Sequence, residues 1–592
     1  MAFSIRKTPL IGFAMIVVAV GISFQFSFAA NATKAGSYAA RKIAPQVMSD
    51  LSRNRNASVV IFLTDQADVS AAMSITDRYA RGWFVYNTLT RHAEVTQSDL
   101  RRFLTLHGIE FTSFWAANMI VATTDASTIE KIASRKDVAR IDSNSPTRWI
   151  EPPEIANFGV TPFDPLAPLV VEWGVTNVNA PTVWGLGNTG TGIVVGGLDT
   201  GIRWTHNALR PKYRGWNGVS ADHNYNWHDA IHSGGGICGA NTTAPCDDNG
   251  HGTHTVGTMI GDDGTNQVGV APGAKWVGCR NMDQGNGTPA TYTECFQFMI
   301  APTDSAGNNP NVALRPHVLN NSWGCPASEG CTTRAELATI VANVEAAGIF
   351  VSVSAGNSGS ACSSVSSPPA IYAEAFSVGA INSTNTIASF SSRGPSTFYS
   401  PNLLKPNISA PGVSVRSATN ANDSSFGTSS GTSMASPHVA SVVALLWSAR
   451  PSLIGNIALT RSVLQSTANP SVIVSPTQTC GGIASTQIPN NSFGYGRIDA
   501  LAAVTAPSAA SVSVSGTTMT ADGRGIRDAI VTLTGPNTSP LTARTNALGY
   551  FRFDNVIAGE TYVISVASKR YAFTPRTLSV VDEIADLVLT AN

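Results

Sequence analysis

The sequence predicts an α/β protein: a parallel sheet with helices on both faces, preceded by a small α+β unit and followed by an antiparallel β-sandwich. Three observations carry this. From about Val170 to Val504, short near-continuous apolar runs ("GIVVGGL", "KWVGCRNM", "HVLNNSW", "GIFVSVSAG") alternate with helical patterns, as expected of strands buried on both faces and joined by helical crossovers. Between Ala57 and Ser143 strands and helices alternate over a shorter span. From Val512 to Asn592, apolar runs are separated by Gly, Asn and Pro turns, the pattern of a small sandwich.

Taken in order, the chain opens on Arg6 and Lys7, an apolar run "IGFAMIVVAVGI" and the small residues "SFAANA". That run is short for a membrane span, and the arrangement predicts a secretory signal peptide over about residues 1–30, with a retained membrane anchor as the alternative. No later run is apolar and long enough to suggest an integral membrane span. Residues 57–143 read as strand "SVVIFL", one helix over "FVYNTLTRHAEVTQSDLRRFL", one strand "FWAANMIVAT", helix "ASTIEKIAS" and strand "VARID". Residues 144–169, rich in proline ("EPPEIANFGVTPFDPLAPL"), read as an exposed linker.

Composition narrows the partners. Charged residues are 13% of the chain, about half the usual ~25%, which argues for compact globular structure and against disorder. Lys and Arg (38) balance Asp and Glu (38) without a basic cluster, so nothing points to a nucleic acid. The eight cysteines (Cys238, Cys246, Cys279, Cys295, Cys325, Cys331, Cys362, Cys480) all lie in the central region. An even number in an exported chain favours disulfides, and proximity in sequence pairs them consecutively, 238 with 246, 279 with 295, 325 with 331 and 362 with 480. No C-x-x-C doublet or H-E-x-x-H helix suggests zinc.

Three residues stand where strands end and helices begin, the place at which parallel sheets gather function. Asp199 ends the strand "GIVVGGLD", His251 precedes a helical stretch in "DDNGHGTHTVGTMI", and Ser433 opens another in "SGTSMASPHVASVVALL". Singly, each reads as a turn residue, a structural histidine or an N-cap. Together they make a carboxylate, a base and a nucleophile, the set acyl transfer needs, because a serine hydroxyl attacks only when an oriented imidazole takes its proton. Asn357, after the strand in "VSVSAGNSGS", offers an amide to the oxyanion that would form.

The segments "GLDTGI", "NGHGTHTVGTM", "NNSWG", "SAGN" and "GTSMASPHVA", in this order, resemble the diagnostic motifs of the subtilisin-like serine peptidases. "CDDNGHGTH", "GVAPGAKWVGCRNMDQGNGT" and "NNSWGCPASEGC" look like the bacillopeptidase F-like branch of that family. The resemblance implies a subtilisin-like sheet and an endopeptidase that hydrolyses protein or peptide substrates through an acyl-enzyme. Asp199 would orient His251, His251 would act as base and then acid, and Ser433 would attack. Asn357 and the Ser433 backbone N–H would hold the oxyanion. Ser322, Trp323 and Gly324 would pair with extended substrate, and Ala355 and Gly356 would wall the pocket for the residue before the scissile bond.

Departures from the family pattern are Thr255-Val256 and Trp323, of which Trp323 bears on subsite shape. The resemblance gives His254 and His438 packing and hydrogen-bonding roles and gives Ser429, Ser430 and Ser436 none; Ser358 reads as a loop residue, and Pro437 is expected in the first turn of the helix opened by Ser433. No cofactor is required for the chemistry. A structural calcium is allowed for at Asp262-Asp263, in a loop that reads equally as a solvated turn.

Residues 57–143 resemble the family's inhibitory propeptide, an intramolecular inhibitor removed by self-cleavage, and 170–504 the catalytic domain. Residues 512–592 resemble a carboxypeptidase regulatory-like domain through "GRGIRDAIVTLTGP" and "TNALGYFRFDNVIAGETYVISV". That module could bind a surface glycan or a protein, or space and stabilise the enzyme. The expected location is extracellular, with cell-surface attachment left open. Two rivals fit less well. An α/β-hydrolase needs G-x-S-x-G and the order serine, acid, histidine, and a catalytically dead binding protein would have lost one of the four chemical groups.

Overall fold

The computed structural model describes residues 39–145, 147–148, 170–506, 511–535, 540–558, 560–580 and 582–592. The expected signal peptide and nearly all of the expected linker lie outside them. Among the described residues no helix is long and apolar enough to cross a membrane. The chain divides into two compact units, one of Met1–Gln66, Val95–Ser113 and Asn118–Ser145, the other of Ala67–Glu94, Phe114–Ala117 and Pro146–Asn592.

The first unit is built on a four-stranded sheet in the order Phe111–Phe114, Met119–Asp125, Asn56–Leu63, Val138–Ser143. Val59, Ile61, Leu100, Leu104, Ile120, Ile132 and Ile141 form its core. Asp125 ends one strand and caps the helix Ala126–Ala133 by accepting the Thr128 N–H at 2.9 Å, a normal N-terminal stop for the orphan donors of a helix. Two elements differ from the sequence reading. The single expected helix is two, Arg78–Thr96 and Ser98–Leu106, broken at Gln97, whose buried amide donates to Asn118 Oδ1 at 3.0 Å. The single expected strand is a hairpin, because Asn118 takes a positive φ of 41° and its side chain donates to the Asp65 carbonyl. Apolar periodicity runs through both breaks and does not report them.

The second unit holds a seven-stranded parallel sheet: β1 (Val194–Asp199), β2 (Trp227–Asp229), β3 (Lys275–Arg280), β4 (Val318–Asn321), β5 (Phe350–Ser354), β6 (Phe376–Ile381) and β7 (Ile408–Pro411), in the order β7-β6-β5-β4-β1-β3-β2. The four apolar runs singled out in the sequence are β1, β3, β4 and β5. β2 (three residues), β6 ("FSVGAI") and β7 ("ISAP") are not singled out in the sequence.

Helices α1 (His251–Ile260), α2 (Pro289–Ile300), α3 (Ala338–Ala346) and α4 (Thr432–Ala449) cover the sheet. Consecutive residues of β1 show the two layers. A Cβ added at Gly196 would meet Met299 of α2, and one at Gly197 would meet Val256 of α1; neighbours in a strand point to opposite faces, so α1 and α2 lie on opposite sides. α4 packs on α1 and crosses β4 to β7. It is buried along nearly its whole length, which explains a helix apolar all round.

Residues 511–592 form two further sheets, Tyr550–Ile557 with Ser511–Met519 and Ile584–Thr590, and Leu541–Arg544 with Ile530–Thr534, Glu560–Ala567 and Arg576–Val580. Val531, Leu533, Phe551, Phe553, Tyr562 and Leu589 fill the space between them. The pairing is antiparallel except for Ser511–Met519 with Ile584–Thr590, which is parallel. All four disulfides join the cysteines paired by proximity.

Candidate active site

Each chemical group sits at the end of a rigid element. Asp199 is the last residue of β1, 1% exposed, and its Oδ1 lies 2.7 Å from His251 Nδ1 at the start of α1. The same oxygen accepts the Thr200 N–H at 2.8 Å. With Nδ1–H donated to a carboxylate, His251 keeps the tautomer whose Nε2 can accept a proton. Burial disfavours the charged imidazole, but the Asp199 charge and hydrogen bond, with Asp247 behind, outweigh it and hold the His251 pKa above its ordinary 6.5.

Ser433 is the second residue of α4, where helix N–H groups are not used within the helix. Its hydroxyl donates to the Ser322 carbonyl at 3.0 Å, and Ser322 Oγ donates to the Ser433 carbonyl at 2.8 Å. Pro437 explains the second bond. It lies inside α4 rather than in its first turn, and having no N–H it cannot bond the carbonyl four residues back. That carbonyl belongs to Ser433, so Ser322 takes the vacant place.

Asn357 follows β5. Its Oδ1 accepts both the Thr432 N–H and the Thr432 hydroxyl at 2.9 Å. A backbone N–H can only donate, so the amide orientation is settled and Nδ2 is the end left to donate elsewhere. Gly356 is pinned alongside by its N–H to Thr432 Oγ1 at 3.2 Å.

Trp323 follows Ser322 and is 1% exposed. Its indole lies parallel to the Tyr292 ring at 3.9 Å and donates to the Leu198 carbonyl at 2.9 Å, one residue before Asp199. It therefore braces β1.

The arrangement supplies a carboxylate, an imidazole, a hydroxyl at a helix start and an oriented amide donor. A family model described as the subtilase family matches residues 190–496, more than half of the chain and all four of these residues. The chain belongs to the subtilase family. It is 34% identical to Bacillopeptidase F of Bacillus subtilis (strain 168) over 72% of its length, and spans 29% of that relative. It is 33% identical to the M-protease of Shouchella clausii over 48% of the chain and 61% of the relative. A solved structure of fervidolysin from Fervidobacterium pennivorans, described as a keratinolytic enzyme related to subtilisin, superposes with a TM-score of 0.52 at 18% identity, covering 86% of this chain and 70% of that one. This last likeness shows the fold.

The other polar residues of the subtilase motifs are engaged elsewhere. His254 Nε2 faces the Val415 and Gly427 carbonyls, His438 Nδ1 faces the Met434 carbonyl, and burial pushes both pKa values down to about 4. Ser436 Oγ meets Ser352 Oγ at 3.0 Å, Ser430 Oγ accepts the Ser414 N–H, and the Ser358 N–H goes to Ser392 Oγ. Ser429 is buried in the strand Phe426–Ser429. Asp262 Oδ1 accepts the Gly264 N–H, with Lys212 Nζ 3.6 Å from its other oxygen, and Asp263 accepts the N–H groups of Thr265 and Asn266. Both carboxylates accept hydrogen bonds within their own turn. Among the described residues no group of three acidic, histidine or cysteine side chains could hold a metal.

One organising residue escapes the motif reading. Asp247 Oδ1 accepts from Thr200 Oγ1 at 2.9 Å, the Asn249 N–H at 3.1 Å and the Gly250 N–H at 2.8 Å, and Oδ2 accepts the Thr253 N–H at 2.9 Å and the Thr253 hydroxyl. Thr200 Oγ1 in turn accepts the Gly252 N–H at 3.0 Å. One buried carboxylate thus ties the residue after Asp199 to both sides of His251. Asp247 lies in the quoted segment "CDDNGHGTH", four residues before His251, but the resemblance assigns it no role.

Proposed function

We propose that the chain is a secreted serine endopeptidase, made as a zymogen, that hydrolyses protein and peptide substrates through an acyl-enzyme on Ser433. The observation that carries this is the 2.7 Å bond from His251 Nδ1 to Asp199 on the frame shared with Ser433 and Asn357. His251 takes the Ser433 proton as Oγ attacks the scissile carbonyl, and Asp199 stabilises the imidazolium. The carbonyl oxygen becomes an oxyanion held by Asn357 Nδ2 and the Ser433 N–H. The imidazolium then gives its proton to the leaving amine, and water completes the cycle by the same steps in reverse. The Ser433 hydroxyl donates to the Ser322 carbonyl, and before attack it must turn from there to the imidazole. Catalytic hydrogen bonds often tighten only when substrate is seated.

Extended substrate pairs with Ser322, Trp323 and Gly324, and Ala355 with Gly356 walls the pocket of the residue before the scissile bond. Asn286–Gly287 serves as a second strand. Its antiparallel pairing with Thr147–Arg148 supports the zymogen reading, since the chain just after residues 57–143 already occupies an edge suited to substrate. Arg81, from the expected propeptide, also donates to the carbonyls of Glu345, Ala346 and Gly455. Residues 1–30 would direct export. No catalytic constellation appears among the described residues of 512–592, which would bind a surface glycan or protein, or act as a spacer.

A fluorophosphonate probe tests the site. It should add once, at Ser433, and lose that adduct in Ser433→Ala; labelling at another residue would sink the assignment.

A further inference from the structure

We propose that Glu329 is a specificity-determining residue, its carboxyl forming the end of a subsite that takes a lysine or arginine from the substrate residue seated opposite Gly287. The proposal deepens the peptidase reading and rests on it.

The strand Asn286–Gly287 is an edge that accepts an extended chain. It pairs antiparallel with Thr147–Arg148, in the register Gly287 with Thr147 and Asn286 with Arg148, and that strand lies beside the short turn of helix Ala327–Glu329. Residues opposite one another in an antiparallel pair project on the same face. On Gly287 that face is marked by what an added Cβ would meet: the Tyr292 phenol oxygen, at 2.2 Å. A substrate residue opposite Gly287 therefore directs its side chain to the face occupied by Tyr292.

That face is aromatic and ends in an acid. The Tyr292 ring is stacked on Trp323, and its hydroxyl donates to Glu329 Oε2 at 3.1 Å. Glu329 is fully buried, and among the described residues its Oε1 has no hydrogen-bond partner. Burial, opposed by the Tyr292 hydrogen bond, raises the Glu329 pKa to about 9. An orphaned buried acceptor is costly and needs a reason. The two stacked rings on this face are themselves buried. A carboxyl with one free acceptor behind them fits a side chain that lies along the rings by its methylenes and brings a cationic donor to the end. The cation then supplies the counter-charge that the carboxyl lacks.

The test uses the full chain, allowed to process itself, and peptides with a fluorogenic leaving group. Each of the four residues before the scissile bond is varied in turn among Lys, Arg, Leu and Phe. Rates are normalised to active sites titrated with a fluorophosphonate. At one position kcat/KM should favour Lys or Arg over Leu on the order of tenfold or more, the range of a hydrogen bond to a charged group. Glu329→Gln should remove that preference while leaving the choice at the other positions unchanged, and Glu329→Leu should turn it toward Leu. Wild-type enzyme that titrates fully yet favours Leu or Phe at all four positions overturns the proposal. So does a titratable Gln variant that keeps the basic preference. A wild-type chain that fails to titrate overturns the peptidase reading itself.

Discussion

Ser322 and Ser433 exchange hydrogen bonds, each hydroxyl donating to the other's carbonyl, at 2.8 Å from Ser322 and 3.0 Å from Ser433. The exchange exists because Pro437 leaves the Ser433 carbonyl without its helical donor. It joins the end of β4 to the start of α4 at the hydroxyl proposed to react. Ser322→Ala should leave that carbonyl unmatched and cost about 1–3 kcal/mol. Urea unfolding in a Ser433→Ala background, which prevents self-digestion, measures this. An unchanged midpoint would show that the exchange is incidental.

The pH dependence of the enzyme follows from His251. Its pKa is raised, and only the neutral imidazole can accept the Ser433 proton. kcat/KM should therefore fall as pH drops through a value above the ordinary 6.5. Asp199→Asn removes the charge that raises it, so the acid limb should move down while kcat falls by about 10⁴. A pH profile of both proteins checks the sign.

Asp247 should matter more than its distance from the chemistry suggests. Asp247→Asn leaves donors from Thr200, Asn249, Gly250 and Thr253 competing for one oxygen, and a mismatch of that kind costs about 1–3 kcal/mol. It also removes one of the charges that raise the His251 pKa. The expected result is a lower kcat with KM little changed and an acid limb shifted downward. A stability loss without that shift would make Asp247 a scaffold residue only.

Asn357→Ala should lower kcat by about 10²–10³ with little change in KM, a magnitude that comes from a subtilisin and is carried over to this chain. Steady-state kinetics on a single peptide suffice. A rise in KM alone would mean that Asn357 binds substrate rather than the oxyanion.

Much of this architecture is legible in the sequence because it rests on strong local signals. β1, β3, β4 and β5 lie in runs that are mostly apolar or small, and Asp199, His251, Asn357 and Ser433 each have a glycine within two residues. What the sequence leaves out is set by contacts distant along the chain. Gln97 breaks a helix to reach Asn118, and Asn118 turns a strand by taking a positive φ. Pro437 reads as a first-turn proline until the helix start at Thr432 places it deeper. Glu329 lies in the quoted segment "NNSWGCPASEGC", but that segment gives it no role; its bond from Tyr292, 37 positions earlier in the chain, shows where its carboxyl points.

The most direct measurement is the intact mass of the purified product of wild-type and Ser433→Ala chains, with casein digestion by each. The proposed acyl-enzyme mechanism requires that the variant keep the residues 57–143 segment attached and leave casein intact, while the wild type loses that segment and digests casein. A variant that processes itself and digests casein as the wild type does would contradict it.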